Sequence, residues 1–399
     1  MGGTSFDVSL VKNGKSTLAA QTEIDFGMVV RTPMVEISTI GAGGGSIAHI
    51  DQGGLLSVGP KSAGSDPGPV CYGLGNNQPT VTDANLLLGR INPDRPIGGK
   101  LEKLDVDAAY HAVEKQIATP LKLTVYEAAD AIVRVANAKM AGAIRLVSVE
   151  RGHDPKQFAI MPFGGGGSLH AGALMKEIGL VASIIPRYPG VTSALGCVVA
   201  DMRLDIVQTV NQMLDDLDID ALSRKMDDQA LKFEQALSKA ENSLTGLSRS
   251  FELDMLYLGQ THSISVPLPN DPNTYTIKSI IDAFNEVYVE TYGRLLPGIA
   301  LRVINMRVAV VGHRPKLDLS SMAPILSKKV DECVTGSRLV WCDGAEISVK
   351  IYERLNVPVG ATVLGPAILE QPDTTVFIEP NMFGIVDKFG NLIIKWIEA

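Results

Sequence analysis

Met1-Gly2-Gly3-Thr4-Ser5-Phe6-Asp7-Val8-Ser9-Leu10-Val11-Lys12 decides how the rest of the chain reads. Two glycines and two hydroxyl residues come first. Phe6, Val8 and Leu10 then alternate with Asp7 and Ser9, the period of a strand. Asn13-Gly14 follows, a strong hairpin signal. With no Cβ at Gly2 and Gly3, backbone N–H groups can approach an anion closely, and Thr4 and Ser5 add hydroxyl donors. The stretch reads in two ways: as a tight turn opening a hairpin, or as an anion-binding turn. A second glycine turn far downstream, Phe163-Gly164-Gly165-Gly166-Gly167-Ser168-Leu169-His170, favours the second.

Around that second turn the pattern predicts a buried strand over 158–161, a helix over 168–178 and a strand over 181–185. Strand, glycine turn, helix, strand is the arrangement in which a helix N-terminus faces an anionic or nucleotide ligand. No Gly-Lys-Ser/Thr follows, so it is not a P-loop, and no acid stands at the distance a dinucleotide fingerprint requires. His170 reads as a structural histidine or as a base. A third run, Gly41-Ala42-Gly43-Gly44-Gly45-Ser46, is either a flexible loop or a backbone passing close to a ligand or another chain.

The 399 residues exceed what one core usually supports. The expected division is a core over 1–205, an α+β region over 206–330 and a small β-rich module over 331–399. Net charge is −8, with acids and bases mixed and no basic stripe, which argues against nucleic acid or an anionic membrane as partner. Cys71, Cys197, Cys333 and Cys342 lie far apart without CxxC spacing, against a structural zinc or a disulfide framework. Neither a signal peptide nor a bilayer-length apolar run is present, so a soluble, cytoplasmic protein is expected.

Pro and Gly at high density over 59–73 predict an irregular loop of the kind that often serves function. Within it Cys71 reads as a structural thiol, since no His or Asp stands at a diagnostic spacing. Thr82 or Asp83 is the expected N-cap of a short helix, which makes Asp83 a cap before a metal ligand. Residues 124–149 predict one long helix with a wide apolar arc, Asn137 falling on its polar side. A charged amphipathic helix is expected over 211–242, and short strands fill 335–399.

Several stretches together resemble one family. They are residues 1–9, Gly41–Ser46, Ser62–Gly73, Pro79–Asn85, Ser148–Pro155, Phe163–His170 and Gly365–Glu370. The chain is similar over essentially its whole length to the hydantoinase A/5-oxoprolinase family, a branch of the superfamily of actin, heat-shock ATPases and sugar kinases. The resemblance implies an α/β fold: an actin/sugar-kinase-like nucleotide-binding core, incomplete at the N-terminus, with a C-terminal α+β and β-rich region. It implies that Gly2, Gly3, Thr4 and Ser5 form the second phosphate turn and that Gly164, Gly165, Gly166 and Gly167 form the adenosine-side turn. ATP and Mg²⁺ are the implied cofactors. In the family, ATP phosphorylates the oxygen of a cyclic amide or ketone, for hydrolysis or carboxylation. Asp66, Cys71, Asp83 and His153 match family positions; Asp66, Asp83 and His153 are the catalytic candidates, without an assigned role.

The family's second phosphate motif has an Asp before the position of Met1, and its first phosphate motif lies further upstream. The chain as given is therefore expected to lack half the nucleotide clamp and to be inactive alone, as a truncated gene model, a fragment or a split subunit. The implied partners are that missing N-terminal half or a hydantoinase B-like subunit, in a hetero-oligomer. The alternative is a non-catalytic scaffold.

Overall fold

The computed structural model describes residues 1–397 apart from 20–21, 25–27, 31–33, 100, 241–242 and 325–327. Contacts divide the chain into two compact units: Met1–Lys15, Ile37–Gly196 and Asp318–Ala399 make the first, Ser16–Glu36 and Cys197–Leu317 the second.

In the first unit, β1 (Phe6–Val8) pairs antiparallel with β2 (Ser38–Ile40). After β1 the chain turns at Asn13 (φ 53°) and Gly14 (φ 74°), both left-handed, as the Asn-Gly pair predicts. β3 (Ser46–Ile50) and β4 (Leu56–Ser62) form a second antiparallel pair. Helix α1 (Val81–Leu87) starts from Thr80, not from Thr82 or Asp83. The Thr80 hydroxyl caps the Asp83 N–H while the Asp83 carboxylate reaches back to the Thr80 N–H. Helix α2 (Val106–Val113) is capped by Asp105. Helix α3 (Val125–Val147) is the long helix expected, opened by a Thr124–Glu127 capping box. Its small residues Ala128, Ala129 and Ala136 are buried beside Ile132 and Val133, so neighbouring elements pack close to its axis.

Two residues, β5 (Ala159–Ile160), form the strand before the glycine turn. It is shorter and more open than the buried strand expected, since Ala159 is exposed. A short 3₁₀ turn at Gly167–His170 leads into α4 (Ala171–Ile178), and β6 (Ala182–Ile185) returns parallel to β5. The predicted strand–turn–helix–strand unit is present.

The second unit is an antiparallel sheet with two helices. Its elements are β7 (Met202–Met213), α5 (Ile219–Ala240), β8 (Gly246–Tyr257), β9 (Ile264–Leu268), α6 (Ile277–Tyr292) and β10 (Leu301–His313). The strand order is β7-β10-β8-β9. Leu222 and Met226 of α5 and Ile280 and Phe284 of α6 share a core with Phe251, Leu253 and Met255 of β8. Asp254, of the other parity, turns away from that core and binds Asn305 and Arg307. The helix expected from 211 begins only at Ile219, because the preceding residues are spent on β7, which pairs with β10 from Met202 to Met213.

The chain then completes the first unit with β11 (Val334–Cys342), β12 (Ala345–Glu353), β13 (Thr362–Leu364), β14 (Ala367–Gln371), β15 (Thr374–Ile378), β16 (Met382–Val386) and β17 (Leu392–Trp396). One sheet runs β5-β6-β17-β16-β13 and another β11-β12-β14-β15. The expected short strands are there, but they do not stand apart as a module over 331–399. β17 lies antiparallel along β6, Ala182 opposite Lys395 and Ile185 opposite Leu392. The free edge of β6 needs a backbone partner, and β17 supplies it. Val340, Val349, Ile368 and Phe377 join Ile132, Val133 and Ala136 of α3 in one core. Among the described residues no helix is long and apolar enough to cross a membrane.

Candidate functional site

All three glycine runs of the sequence meet in the first unit. The Gly2 N–H donates to the Ser5 carbonyl (3.2 Å) and closes the first turn. Gly44 and Gly45 donate to the carbonyls of Gly2 (3.0 Å) and Gly3 (2.6 Å). A Cβ on Gly43 would lie 2.7 Å from the Gly3 carbonyl and the Thr4 nitrogen. The close approach foreseen for this run is therefore to the chain's own first turn. Thr82 fixes the run from the other side, its N–H (2.8 Å) and hydroxyl (2.9 Å) both on the Gly44 carbonyl.

Gly164 holds φ 81°, and a Cβ there would collide with the Met1 carbonyl, which also accepts from the Gly166 N–H at 3.3 Å. Only glycine meets both demands. The situation at Gly2 and Gly3 is the reverse: a Cβ on either would meet nothing within 4 Å. Among the described residues, no chain partner accepts from the N–H of Gly3 or Thr4. The first turn is thus braced from behind and open in front.

In front of it lies a cavity of about 220 Å³, lined by Gly2, Gly3, Gly44, Gly165 and Gly166, by Thr82, Asn85 and His170, and by an apolar wall that includes Ile91, Ile97, Leu101 and Leu104. The turn at 164–167 is held by residues distant in sequence. Gly164 donates to the Pro189 carbonyl (2.8 Å), the Thr374 hydroxyl donates to the Gly165 carbonyl (3.0 Å), and Asp373 accepts from Gly190 (2.8 Å). The β14–β15 hairpin turn is therefore part of the site's frame, which sequence reasoning missed. Its only local signal is the turn sequence Pro372-Asp373 between two apolar runs.

His170 is 2% exposed, with Nδ1 2.6 Å from the Asn137 side-chain oxygen. Nδ1 therefore carries the proton and Nε2 is left as an acceptor. Burial, followed by the nearby Arg90 charge, pushes its pKa down to about 3, so the ring stays neutral. Asn137 does not sit on a solvated stripe; it is buried and orients this ring.

Asp83 is fully buried away from the cavity lining. Its carboxylate accepts from the N–H groups of Val70 (3.1 Å), Cys71 (2.8 Å) and Thr80 (2.8 Å) and from the Thr80 hydroxyl (2.8 Å). It ties the Pro/Gly-rich loop to the start of α1. Burial and the Asp83 charge push the Cys71 thiol up, out of thiolate range, in keeping with a structural thiol. Asp66 is exposed in a turn closed by the Gly68 N–H on the Ala63 carbonyl (3.1 Å), and Ala63 donates in turn to Gly45 (2.8 Å). His153 follows α3, its N–H on the Ser148 carbonyl (3.0 Å) and its ring 5.8 Å from that of Phe158. None of Asp66, Asp83 and His153 lines the cavity, whereas Gly2, Gly3, Gly165 and Gly166 do. Thr4 sits against Ser62 (3.4 Å), the Ser5 hydroxyl donates to Asp7 (3.3 Å), and Gly167 packs behind on Pro162. Among the described residues no group of three His, Cys, Asp or Glu side chains could hold a metal ion.

Residues 1–206 match the hydantoinase/oxoprolinase family, and residues 218–396 match the hydantoinase/oxoprolinase C-terminal domain. The caprolactamase alpha subunit of Pseudomonas jessenii is 33% identical over 389 residues, covering 96% of this chain and 55% of the relative. The acetophenone carboxylase gamma subunit of Aromatoleum aromaticum is 32% identical, covering 100% of this chain and 56% of the relative. The crystal structure of the ATP-dependent caprolactamase from Pseudomonas jessenii superposes with a TM-score of 0.77 at 32% identity, covering 100% of this chain and 58% of that one. The chain thus spans little more than half the length of these relatives. It belongs to the hydantoinase/oxoprolinase family.

Proposed function

We propose that the chain is the ATP-dependent subunit of a hydantoinase/5-oxoprolinase-type enzyme, and that the cavity between its glycine turns receives the nucleotide. The observation that carries this reading is the convergence of the turns at Gly2–Gly3 and Gly165–Gly166 on one cavity. The fit rests on three features: the open face of Gly2 and Gly3, the N–H groups of Gly3 and Thr4 that have no partner among the described residues, and an apolar wall that suits a flat ring.

When bound, ATP would supply a phosphoryl group to the carbonyl oxygen of a small cyclic amide, turning a poor leaving group into a good one, or to the enol oxygen of a ketone that has given up an α-proton, activating its carbon for carboxylation. The chain's own residues position and exclude. Gly2 and Gly3 let the backbone N–H groups come close to the phosphate oxygens. Gly44, clamped by Thr82, keeps that turn from yielding. Ile91, Ile97 and Leu104 keep water from the ring side. His170, neutral, offers an acceptor and no charge. No step is assigned to Mg²⁺, because no cluster of ligating side chains stands among the described residues.

Two of the relatives are named as subunits. We infer that this chain likewise works in a hetero-oligomer in the cytoplasm, with a hydantoinase B-like subunit as its partner. Calorimetric titration of Mg·ATP into the chain, and into the chain joined to the amino-terminal region implied by the family resemblance, tests the reading. Binding by the joined form is expected, together with ATP turnover that depends on a cyclic amide or ketone. Absence of binding by both forms would refute it and leave a scaffold.

A further inference from the structure

In the second unit β7, β10 and β8 lie side by side, and their ends bring three side chains into one row. Met202 of β7 and Leu247 of β8 both pair with Gly312 of β10, so Asp201 and Ser248 flank His313. His313 Nδ1 is 2.9 Å from Asp201 Oδ2, and Nε2 is 2.8 Å from the Ser248 hydroxyl oxygen. A carboxylate only accepts, so Nδ1 carries the proton; in the neutral ring Nε2 is then the acceptor and the Ser248 hydroxyl the donor. The carboxylate is itself fixed, because Oδ1 accepts from the Arg314 N–H at 2.9 Å. That bond, and after it the one from the His313 ring, holds the Asp201 carboxyl below the usual carboxylate range. Thr245 pins the His313 backbone, its N–H (2.7 Å) and hydroxyl (3.1 Å) both on the His313 carbonyl. Ser248 shares the parity of Asp254, on the face turned away from the Phe251 core, and is exposed. The side chains of His313 and Asp201 are 43% and 42% exposed, so a small solute can reach the row.

We propose that these residues form a second reactive site: Ser248 is a hydroxyl nucleophile, His313 its base and Asp201 the positioning residue, and the site takes small acyl esters with a good leaving group. Hydroxyl, imidazole and carboxylate in this order recur on unrelated folds and are recognised by geometry and roles. All three belong to the second unit, so the site is independent of the glycine-turn cavity. The Ser248 oxygen attacks the acyl carbon as its proton passes to His313 Nε2. The bond from the acyl carbon to the leaving oxygen breaks, and the proton departs with the leaving group. Water then adds to the acyl carbon and gives a proton to Nε2. The bond to the Ser248 oxygen breaks, that oxygen takes the proton back, and the carboxylic acid leaves. Because the row lies on an exposed face, the reactivity of the ester selects the substrate more than its shape does.

The test is reaction of the full chain with p-nitrophenyl acetate, following nitrophenolate release and locating the acetyl group by peptide mass mapping. Cys197 is an exposed thiol that competes for the reagent, so the measurement is made in Cys197→Ser. Acetylated Ser248 is expected, and Ser248→Ala should remove that label. His313→Gln should slow acetylation of Ser248 by about a hundredfold, the scale of general-base assistance. Asp201→Asn can turn an amide N–H₂ toward the ring and fix the wrong tautomer; it should slow the reaction about tenfold or more, with part of the rate restored in Asp201→Glu. No acetyl group on Ser248 in the parent protein would overturn the proposal without any further variant. An unchanged rate at Ser248 in His313→Gln would leave an ordinary surface hydroxyl and overturn it as well. Equal rates in Asp201→Asn and the parent would reduce the Asp201 contact to a tie between strand ends, and the three-residue site would fall.

Discussion

Replacing Asp83 with alanine separates a framework carboxylate from a catalytic one. Three buried backbone N–H groups, on Val70, Cys71 and Thr80, point at its two oxygens at 2.8–3.1 Å. In the alanine variant all three lose their acceptor in a region that water does not reach, since Val70, Cys71 and Thr80 are at most 5% exposed. At about 1–3 kcal/mol for each stranded donor, and with partial relaxation of the loop, the expected loss is about 5 kcal/mol. That is a third or more of what a domain normally has. Asp83→Asn keeps one oxygen, which can serve Thr80 and Val70, but turns an amide N–H₂ toward the Cys71 N–H. Its expected loss is about 2–3 kcal/mol. Urea unfolding followed by tryptophan fluorescence reads the relevant part of the molecule, because both tryptophans, Trp341 and Trp396, belong to the first unit. The reasoning is refuted if Asp83→Ala unfolds within about 1 kcal/mol of wild type while ATP turnover disappears. Asp83 would then act in the chemistry.

His170 gives a pH test. Folded, it stays neutral down to about pH 3, whereas the unfolded side chain takes up a proton below its ordinary 6.5. The unfolded state therefore binds more protons between those values. Stability is full above pH 6.5 and falls as the pH drops toward 3, by about 2 kcal/mol at pH 5. Unfolding curves at pH 5 and 7 measure this, and His170→Gln should flatten the difference. Gly164→Ala combines a φ of 81° with a Cβ driven into the Met1 carbonyl, and should lower stability by about 2–3 kcal/mol, read as a drop in melting temperature. In the second unit, Asp254→Ala takes the carboxylate from a buried guanidinium bonded at 2.7 and 2.9 Å, at a cost of about 3 kcal/mol. Near-ultraviolet circular dichroism of the tyrosines packed in that core, Tyr257, Tyr275 and Tyr288, follows its melting.

The glycine runs were legible because a run without Cβ atoms has few structural uses, and in the folded chain they meet at one cavity. Helix α3 was legible from its apolar period, and the hairpin turn at Asn13-Gly14 from its two residues alone. What the sequence hid depends on distance along the chain. Asn137 and His170 are 33 residues apart, and neither carries a mark of the other. Asn85 falls inside a short helix whose period suggests only packing, and nothing local marks it as a residue of the cavity lining. Asp83 lies three positions past the cap: the signal for a cap was present, but Thr80 is the residue that opens the helix and Asp83 is its capping-box partner. The start of α5 was misplaced because residues 211–213 extend β7 through its pairing with β10, which nothing local marks, and the helix begins only at Ile219.

The β14–β15 turn has a consequence for how the protein is made. Thr374, whose hydroxyl holds Gly165, leaves the ribosome 209 residues after it. At about 5–20 residues per second that is a wait of roughly 10–40 s. During the interval β6 has an unfilled edge, because β17 does not yet exist. Every strand of the second unit's main sheet, by contrast, is already synthesised when Leu317 emerges. The nascent chain therefore finishes its inserted unit before the cavity-bearing one. Translation arrested between Leu317 and Thr374 yields a chain that holds every glycine of the site but lacks the Thr374 hydroxyl that fixes Gly165.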